Sequence, residues 1–320
     1  MKCLVTGSAG FIGSHLVVEL KKCGHEVIEC DIRNDKDKYM ERHYTEEGLD
    51  EYLKNNDIRT VTEDYLKGVD VVYHLGAASG SLYFDPIKKY NGYTLADSIN
   101  VNCDGTVHLL EMCRQAGVKK FIFASTASSY VGTKCPHKEK CKLTCLNFYA
   151  ATKQFGEMAC KLYHEIYGMD VTILRFASVY GTKEEQKGKL ANIVSQFIWD
   201  MMKDKSPELW YKGRQTRDLI YVDDVVDACI FAIRLSVGPY NVGTNVETSF
   251  IDVVAKINAV LGTTIVPRFI QPYACMKVIQ KKKVDRQLMD TSKLKALGWE
   301  SKISIDDGIK RIIENIKARK

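Results

Sequence analysis

The sequence predicts an α/β protein, a doubly wound parallel sheet with a smaller C-terminal substrate lobe. Three observations carry that expectation. Short apolar strands alternate with helical stretches through the first 177 residues, a glycine-rich loop joins the first strand to the first helix, and a carboxylate closes the second strand. The predicted division is a cofactor domain over residues 1–177 and a lobe over 178–320, partly interleaved with it.

The first strand is "KCLVT" (2–6), and "GSAGFIGSHLVVELKKCG" runs from a loop into a helix that stops near Gly24. "HEVIECD" (25–31) is the second strand, completing a β-α-β unit. Within the loop, Gly7, Gly10 and Gly13 are spaced G-x-x-G-x-x-G, so backbone can approach a pyrophosphate at the helix's positive N-terminus. Asp31 ends the second strand, where a carboxylate can accept from a ribose 2′-hydroxyl; this favours NAD over NADP, with Arg33 as the nearby cation. Strands follow at "VDVVYHLGAA" (69–78), "KKFIFAST" (119–126) and "DVTILRF" (170–176), with helices over 98–116 and 149–167. Beyond residue 180 the rhythm loosens, and helical patterns appear over 189–203, 223–234, 249–261 and 305–317.

Composition bounds the function classes. Of 320 residues, 45% are hydrophobic and 27% charged, as in a globular protein rather than a disordered one. The net charge of +6 is scattered apart from Lys281, Lys282 and Lys283, unlike the patterned surplus of a nucleic-acid binder. No apolar run is long enough to span a bilayer, and "MKCLVTGSAGFIG" reads as an opening strand rather than a signal peptide, so a cytoplasmic protein is expected. Most of the eleven cysteines, such as Cys3, Cys30, Cys113 and Cys229, fall in predicted elements and read as small packed hydrophobes. Cys135, His137, Cys141 and Cys145 share one loop, but without the paired C-x₂-C of common structural zinc sites; no metal is expected there.

The chemistry sits in two places. Ser125 and Thr126 end "KKFIFAST", at the carboxyl edge of the sheet where ligands bind in such folds. In "NFYAATKQFGE" (147–157), Tyr149 precedes Lys153 by four residues and shares its helical face. A phenol ionises near pH 10 unaided; a neighbouring ammonium favours the phenolate and brings it toward use as a base.

With these segments the sequence resembles the extended short-chain dehydrogenases/reductases, specifically the NAD-dependent nucleotide-sugar epimerase/dehydratase family, which has a Rossmann sheet. The likeness runs through "TGSAGFIG", "NNDIRT", "HLGAA", "NVNCDGT", "FASTASSYVG", "YAATK", "LRFASVYG", "RDLIYVDDVVDA", "YNVGT" and "DTSKLKALGW". It implies tightly held NAD, with Phe11 and Ile12 beside the glycines, Asp57 and Ile58 touching the adenine, and Leu75, Ala77, Ala78 and Ser125 lining the cofactor. Asn102 would support the nicotinamide side, and Lys153 would also hold its ribose. For a nucleotide-diphosphate sugar it implies Thr126, Tyr149, Ser178, Asn192 and Arg217, the arginine on the diphosphate. It further implies a homodimer pairing the helices over 98–116 and 149–167. Three residues have structural alternatives: Asn102 as a helix-surface residue, and Asp223 with Asp224 as helix caps.

Dehydratases and decarboxylases of the family carry acids after the catalytic threonine, whereas here Ala127 and Ser128 follow Thr126. Neither can serve as an acid or base at neutral pH, so the expected reaction is 4-epimerisation of a UDP-hexose through a transient 4-keto sugar. The alternatives are a dehydratase, decarboxylase or reductase using an acid such as Glu139, and a non-catalytic NAD-binding scaffold. The chain departs from the family pattern at Ser178, at Val131 between Tyr130 and Gly132, and at Gln280, where a second phosphate-binding arginine is usual.

Overall fold

The computed structural model describes residues 1–32, 56–79, 94–271 and 286–319. Arg33, Gln280 and Lys281 to Lys283 lie outside the described residues. The chain divides into two compact units: 1–126, 147–175 and 226–239 form the first, and 127–146, 176–225 and 240–320 the second.

A six-stranded sheet, of which the first unit holds all of β1 to β4, runs in the order β2-β1-β3-β4-β5-β9. Its strands are β1 (Lys2–Thr6), β2 (Glu26–Cys30), β3 (Val71–His74), β4 (Lys120–Thr126), β5 (Val171–Phe176) and β9 (Gly238–Val242). β1 pairs in parallel with β2 and β3, and β3 with β4. β3 and β5 are buried at every position, the near-continuous apolar reading of strands covered on both faces. The helices that cover them are α1 (Phe11–Lys22), α2 (Leu95–Ile99), α3 (Gly105–Gln115) and α4 (Phe148–Tyr167). Leu4, Val72, Leu109, Leu110, Phe121, Phe123 and Ile173 are among the side chains of its core.

The helix expected over 98–116 is in two pieces. α2 starts earlier, at a capping box in which Thr94 and Asp97 satisfy each other's backbone N–H, and a π turn over Asn100–Asp104 separates it from α3. Such turns re-aim side chains inside a helix, often at functional sites. α4 begins where Asn147 accepts the Ala150 N–H and ends at Gly168, left-handed at φ 71°.

The second unit holds a three-stranded sheet, β10-β8-β6, from β6 (Ser178–Tyr180), β8 (Thr216–Tyr221) and β10 (Glu247–Ser249), with β7 (Glu208–Leu209) paired to β11 (Arg268–Phe269). Its longer helices are α5 (Ile193–Met201), α7 (Phe250–Leu261) and α9 (Ile305–Lys317); α6 (Val222–Phe231) follows β8, and α8 is Ser292–Ala296. The helix expected from residue 189 starts only at Ile193, because Ala191 is extended and Asn192 caps α5. Asp223 and Asp224 do lie in the first turn of α6, but their carboxylates also reach elsewhere. Asp224 accepts the backbone N–H groups of Lys302 and Ile303, and Asp223 pairs with Arg311 at 3.1 Å.

Candidate functional site

The glycine loop is shaped by steric need. Gly7 has φ 70°, and a Cβ there would stand 2.8 Å from the Cα and N of Gly76; a Cβ on Gly13 would run into the Gly7 carbonyl oxygen. Gly7 N–H donates to the Cys30 carbonyl and Gly10 N–H to the Gly7 carbonyl, closing the loop between β1 and α1. Gly10 caps α1 without a side-chain bond and the first turn carries no acid, while Lys21 and Lys22 occupy the last. A helix that starts this way, with no acid in its first turn and its positive end at the close of β1, is the arrangement that receives a phosphate. Asp31 is buried just past β2 and accepts the Ala9 N–H at 3.1 Å. Backbone packs on backbone at Gly7 and Gly13 as only glycine allows, which is the tight loop and close helix–strand packing that a dinucleotide-binding turn requires.

At the next strand end, Leu75 and Ala77 are partly buried and Ala78 is buried. Asn102, on the π turn, is 3% exposed and so is not a surface residue. Its amide accepts the Ala78 N–H at 2.8 Å, donates to the Ala78 carbonyl at 3.1 Å and donates to Thr152 Oγ1 at 3.0 Å. Thr152 in turn donates to the Tyr149 carbonyl at 2.9 Å. The π turn thus ties the loop after β3 to the helix that carries Tyr149. Asp57 holds Arg59 through both carboxylate oxygens, and Ile58 packs so near Gly105 that a Cβ there would fall 2.8 Å from Ile58 Cδ1.

Thr126 ends β4, and Tyr149 and Lys153 lie one turn apart on α4, all in the first unit. Lys153 is 4% exposed, with Nζ 4.4 Å from the Phe123 ring centroid. Burial draws its pKa from 10.5 down to about 8, the negative potential of Cys160, Glu157 and Cys103 opposing that fall. Gly156 lets α4 close on β4, since a Cβ there would enter the Phe123 ring. Ser125 donates to Glu157, whose carboxylate is also gripped by Arg175 Nε at 2.9 Å and Nη2 at 2.6 Å.

Sequence reasoning missed Glu157 and Arg175, although the signals existed. Glu157 continues the 149–153 face by another four residues, and Arg175 is a lone charge in the apolar strand "TILRF". Gly76 was also passed over, within "HLGAA".

Ser178, Asn192 and Arg217 lie in the second unit. Ser178 donates to Gln287 at 3.2 Å. Asn192 accepts the Val194 N–H and donates to the Val179 carbonyl at 3.1 Å each, and buried Glu184 fixes its loop by accepting the Asn192 N–H at 2.7 Å. Arg217 donates to the Thr216 carbonyl at 2.7 Å and stands 5.4 Å from the Phe250 ring centroid. Glu139, the alternative acid, accepts the Asn241 N–H. In the cysteine loop, Cys135 Sγ meets His137 Nε2 at 3.4 Å; among the described residues no three His, Cys, Asp or Glu side chains gather as a metal site. No described helix is long and apolar enough to cross a membrane.

The model of the NAD dependent epimerase/dehydratase family matches residues 3–243. UDP-glucose 4-epimerase of Mycolicibacterium smegmatis is 30% identical, over 98% of each chain. UDP-glucose 4-epimerase from Thermotoga maritima, solved with UDP-glucose, superposes with a TM-score of 0.83 at 29% identity, covering 100% of this chain and 99% of that one. UDP-glucuronic acid 4-epimerase from Bacillus cereus, solved with UDP-glucuronic acid and NAD, does so with a TM-score of 0.79 at 26% identity, over 100% of both.

Proposed function

The chain belongs to the NAD dependent epimerase/dehydratase family, and from that premise we propose that it is a nucleotide-sugar 4-epimerase acting on a UDP-hexose, in the glucose/galactose, N-acetyl or uronic acid form. The observation that carries the reading is the set Thr126, Tyr149 and Lys153, with Ala127 and Ser128 where eliminating or decarboxylating enzymes place acids. Gly7, Gly10 and Gly13 would hold NAD, with Asp31 for its ribose, and the bound nicotinamide would supply a reversible hydride acceptor for sugar C4. Tyr149 removes the proton of the 4-hydroxyl and later restores it, and Thr126 holds the same oxygen. Lys153, still largely protonated at neutral pH with its pKa near 8, favours the phenolate through its charge. Arg217 grips the diphosphate while Ser178 and Asn192 meet the nucleotide sugar, so the 4-keto sugar can turn on a fixed anchor. The first unit supplies the cofactor cradle with Thr126, Tyr149 and Lys153, and the second supplies Ser178, Asn192 and Arg217.

A homodimer belongs to the same reading. α4 buries Ala150, Thr152, Gly156 and Ala159, yet leaves Phe148, Phe155, Met158, Leu162 and Ile166 exposed, Met158 by 61% and Ile166 by 64%. Large apolar side chains in a row on the solvent side of a helix mark an interaction surface, and a second copy of α4 is the occupant that matches the stripe by symmetry. The described cysteines are all free thiols, as befits the reducing cytoplasm.

Proton NMR of the purified chain with UDP-glucose, UDP-N-acetylglucosamine and UDP-glucuronate, adding no cofactor, tests the activity. A new anomeric signal from a product of unchanged mass is expected. Loss of water or carbon dioxide would overturn the 4-epimerase reading.

A further inference from the structure

His74 ends β3 and is 1% exposed, and no step of the proposed reaction uses it. Its Nδ1 is 2.8 Å from Thr6 Oγ1 and its Nε2 is 2.9 Å from Thr106 Oγ1. The neighbours decide which nitrogen carries the proton. Thr106 spends its only hydroxyl hydrogen on the Asn102 carbonyl at 2.7 Å, so it can only accept from His74. Thr6 Oγ1 already accepts the Gly76 N–H at 3.0 Å, leaving its own hydrogen for Nδ1.

We propose that His74 is a positioning residue, locked as the Nε2–H tautomer, that couples the glycine cradle to the helix bearing Tyr149 through one directed chain of hydrogen bonds. The chain reads from Gly76 N–H to Thr6 Oγ1, from the Thr6 hydroxyl to Nδ1, from Nε2–H to Thr106, and from the Thr106 hydroxyl to the Asn102 carbonyl. From the Asn102 side chain it passes to Thr152 Oγ1 and ends on the Tyr149 carbonyl. At one end Thr6 precedes Gly7, whose backbone is pressed against Gly76; at the other the backbone of the phenol is held. Each hydroxyl in the series receives from one side and gives to the other, and Asn102 joins its two parts covalently, its carbonyl receiving from Thr106 and its side-chain amide giving to Thr152, so the series admits only one imidazole form. Burial, reinforced by the charge of Lys153, keeps the ring uncharged, its pKa drawn down to about 3. The structural part of this stands alone; its catalytic consequence rests on the 4-epimerase reading.

Selective ¹⁵N-histidine labelling of the full chain, with His74→Gln identifying the signal, reads the tautomer directly. A protonated Nε2 and bare Nδ1, unchanged between about pH 8 and about pH 5.5, is expected; an Nδ1–H form, or titration near the ordinary histidine value of about 6.5, overturns the proposal. Two variants separate the arms. His74→Gln puts an amide nitrogen near the position of Nε2 and keeps the Thr106 arm, whereas His74→Asn puts an oxygen near Nδ1 and keeps the Thr6 arm. Losing one buried contact is a change of about tenfold. His74→Gln should therefore speed the loss of bound NAD about tenfold with a smaller fall in kcat, and His74→Asn should do the reverse. Equal effects of both variants on both quantities would sink the directed chain. A wild-type protein that turns over no UDP-sugar would refute the 4-epimerase reading alone, since the tautomer and NAD-loss measurements still decide on His74.

Discussion

At Lys153 burial sets stability against chemistry. An ammonium 4% exposed, whose pKa falls from 10.5 to about 8, is costly to keep charged in the fold, by roughly 3 kcal/mol. The unfolded chain binds the proton more tightly, so this cost is fully present below about pH 8 and fades as the pH rises toward 10.5. Lys153→Met keeps an unbranched apolar chain beside Phe123, where Lys153 Nζ stands, and removes the charge. It should raise the urea midpoint at pH 7, by a gain of up to about 3 kcal/mol, while turnover collapses. A lower midpoint would mean that the ammonium is stabilised by something other than the contacts described. Tyr149→Phe makes the complementary change, removing one hydroxyl from a half-buried position. The fold and bound NAD should persist and kcat should fall about 10³-fold, within the range a positioned base contributes; unchanged turnover, followed by proton NMR on the preferred UDP-sugar, would remove Tyr149 from the mechanism.

Among the elements, α4 has two faces with opposite demands. The inner face is small because β4 comes close: at Gly156 a methyl would strike Phe123. The outer face carries Phe155, Met158, Leu162 and Ile166 exposed. Each leucine buried in an interface is worth roughly 1.5–3 kcal/mol, and a two-fold axis counts it twice. If the proposed homodimer pairs through this face, the unaltered chain should sediment as a dimer at micromolar concentration and Leu162→Glu as a monomer without loss of helix signal; a variant that sediments as a dimer would place the interface elsewhere. Helices and strands were legible to within a few residues where the hydrophobic period was clear, as for the strand ending at Thr6 and the helices expected over 149–167, 249–261 and 305–317. What stayed hidden was set by partners distant in sequence. The π turn exists where Asn102 reaches Ala78, 24 residues back, and Asp224 is drawn to the backbone of Lys302. Of the candidate site, the residues fixed by steric need or helical spacing could be read: Gly7, Gly13, Tyr149 and Lys153. Glu157 and Arg175 carried only the weaker signals of a continued helical face and a lone charge in an apolar strand, and the His74 series carried none, because the hydrogen bonds that join them appear only when strands far apart in the chain become neighbours.

Across the whole molecule, both units hide an uncharged histidine. His74 lies in the first, between Thr6 and Thr106, its pKa lowered to about 3 by burial. His137 lies in the second, stacked on Tyr130 at 5.1 Å and bonded to Thr133, its pKa also lowered by burial. Depressed folded-state values mean that the unfolded chain binds more protons once the pH drops below about 6.5, so stability falls with the pH from there. For His74 alone the loss is about 2 kcal/mol by pH 5, a figure set by the unfolded value rather than by the depth of the shift. The carboxylates lowered by charged and hydrogen-bonding partners, such as Glu111 beside Arg114 and Gln115, titrate below that window, so they add little there. Buried Asp218 acts in the opposite sense, since burial raises its pKa and protonation then favours the fold as the pH falls. The urea midpoint should therefore drop between pH 7.5 and 5 by the equivalent of a few kcal/mol. His74→Gln, whatever its own effect at neutral pH, should remove about 2 kcal/mol of that pH dependence and leave the part due to His137. A variant whose midpoint falls as steeply as that of the wild type would show that the His74 ring takes up its proton inside the fold, and the buried histidines would lose their place as the acid-sensitive points of the molecule.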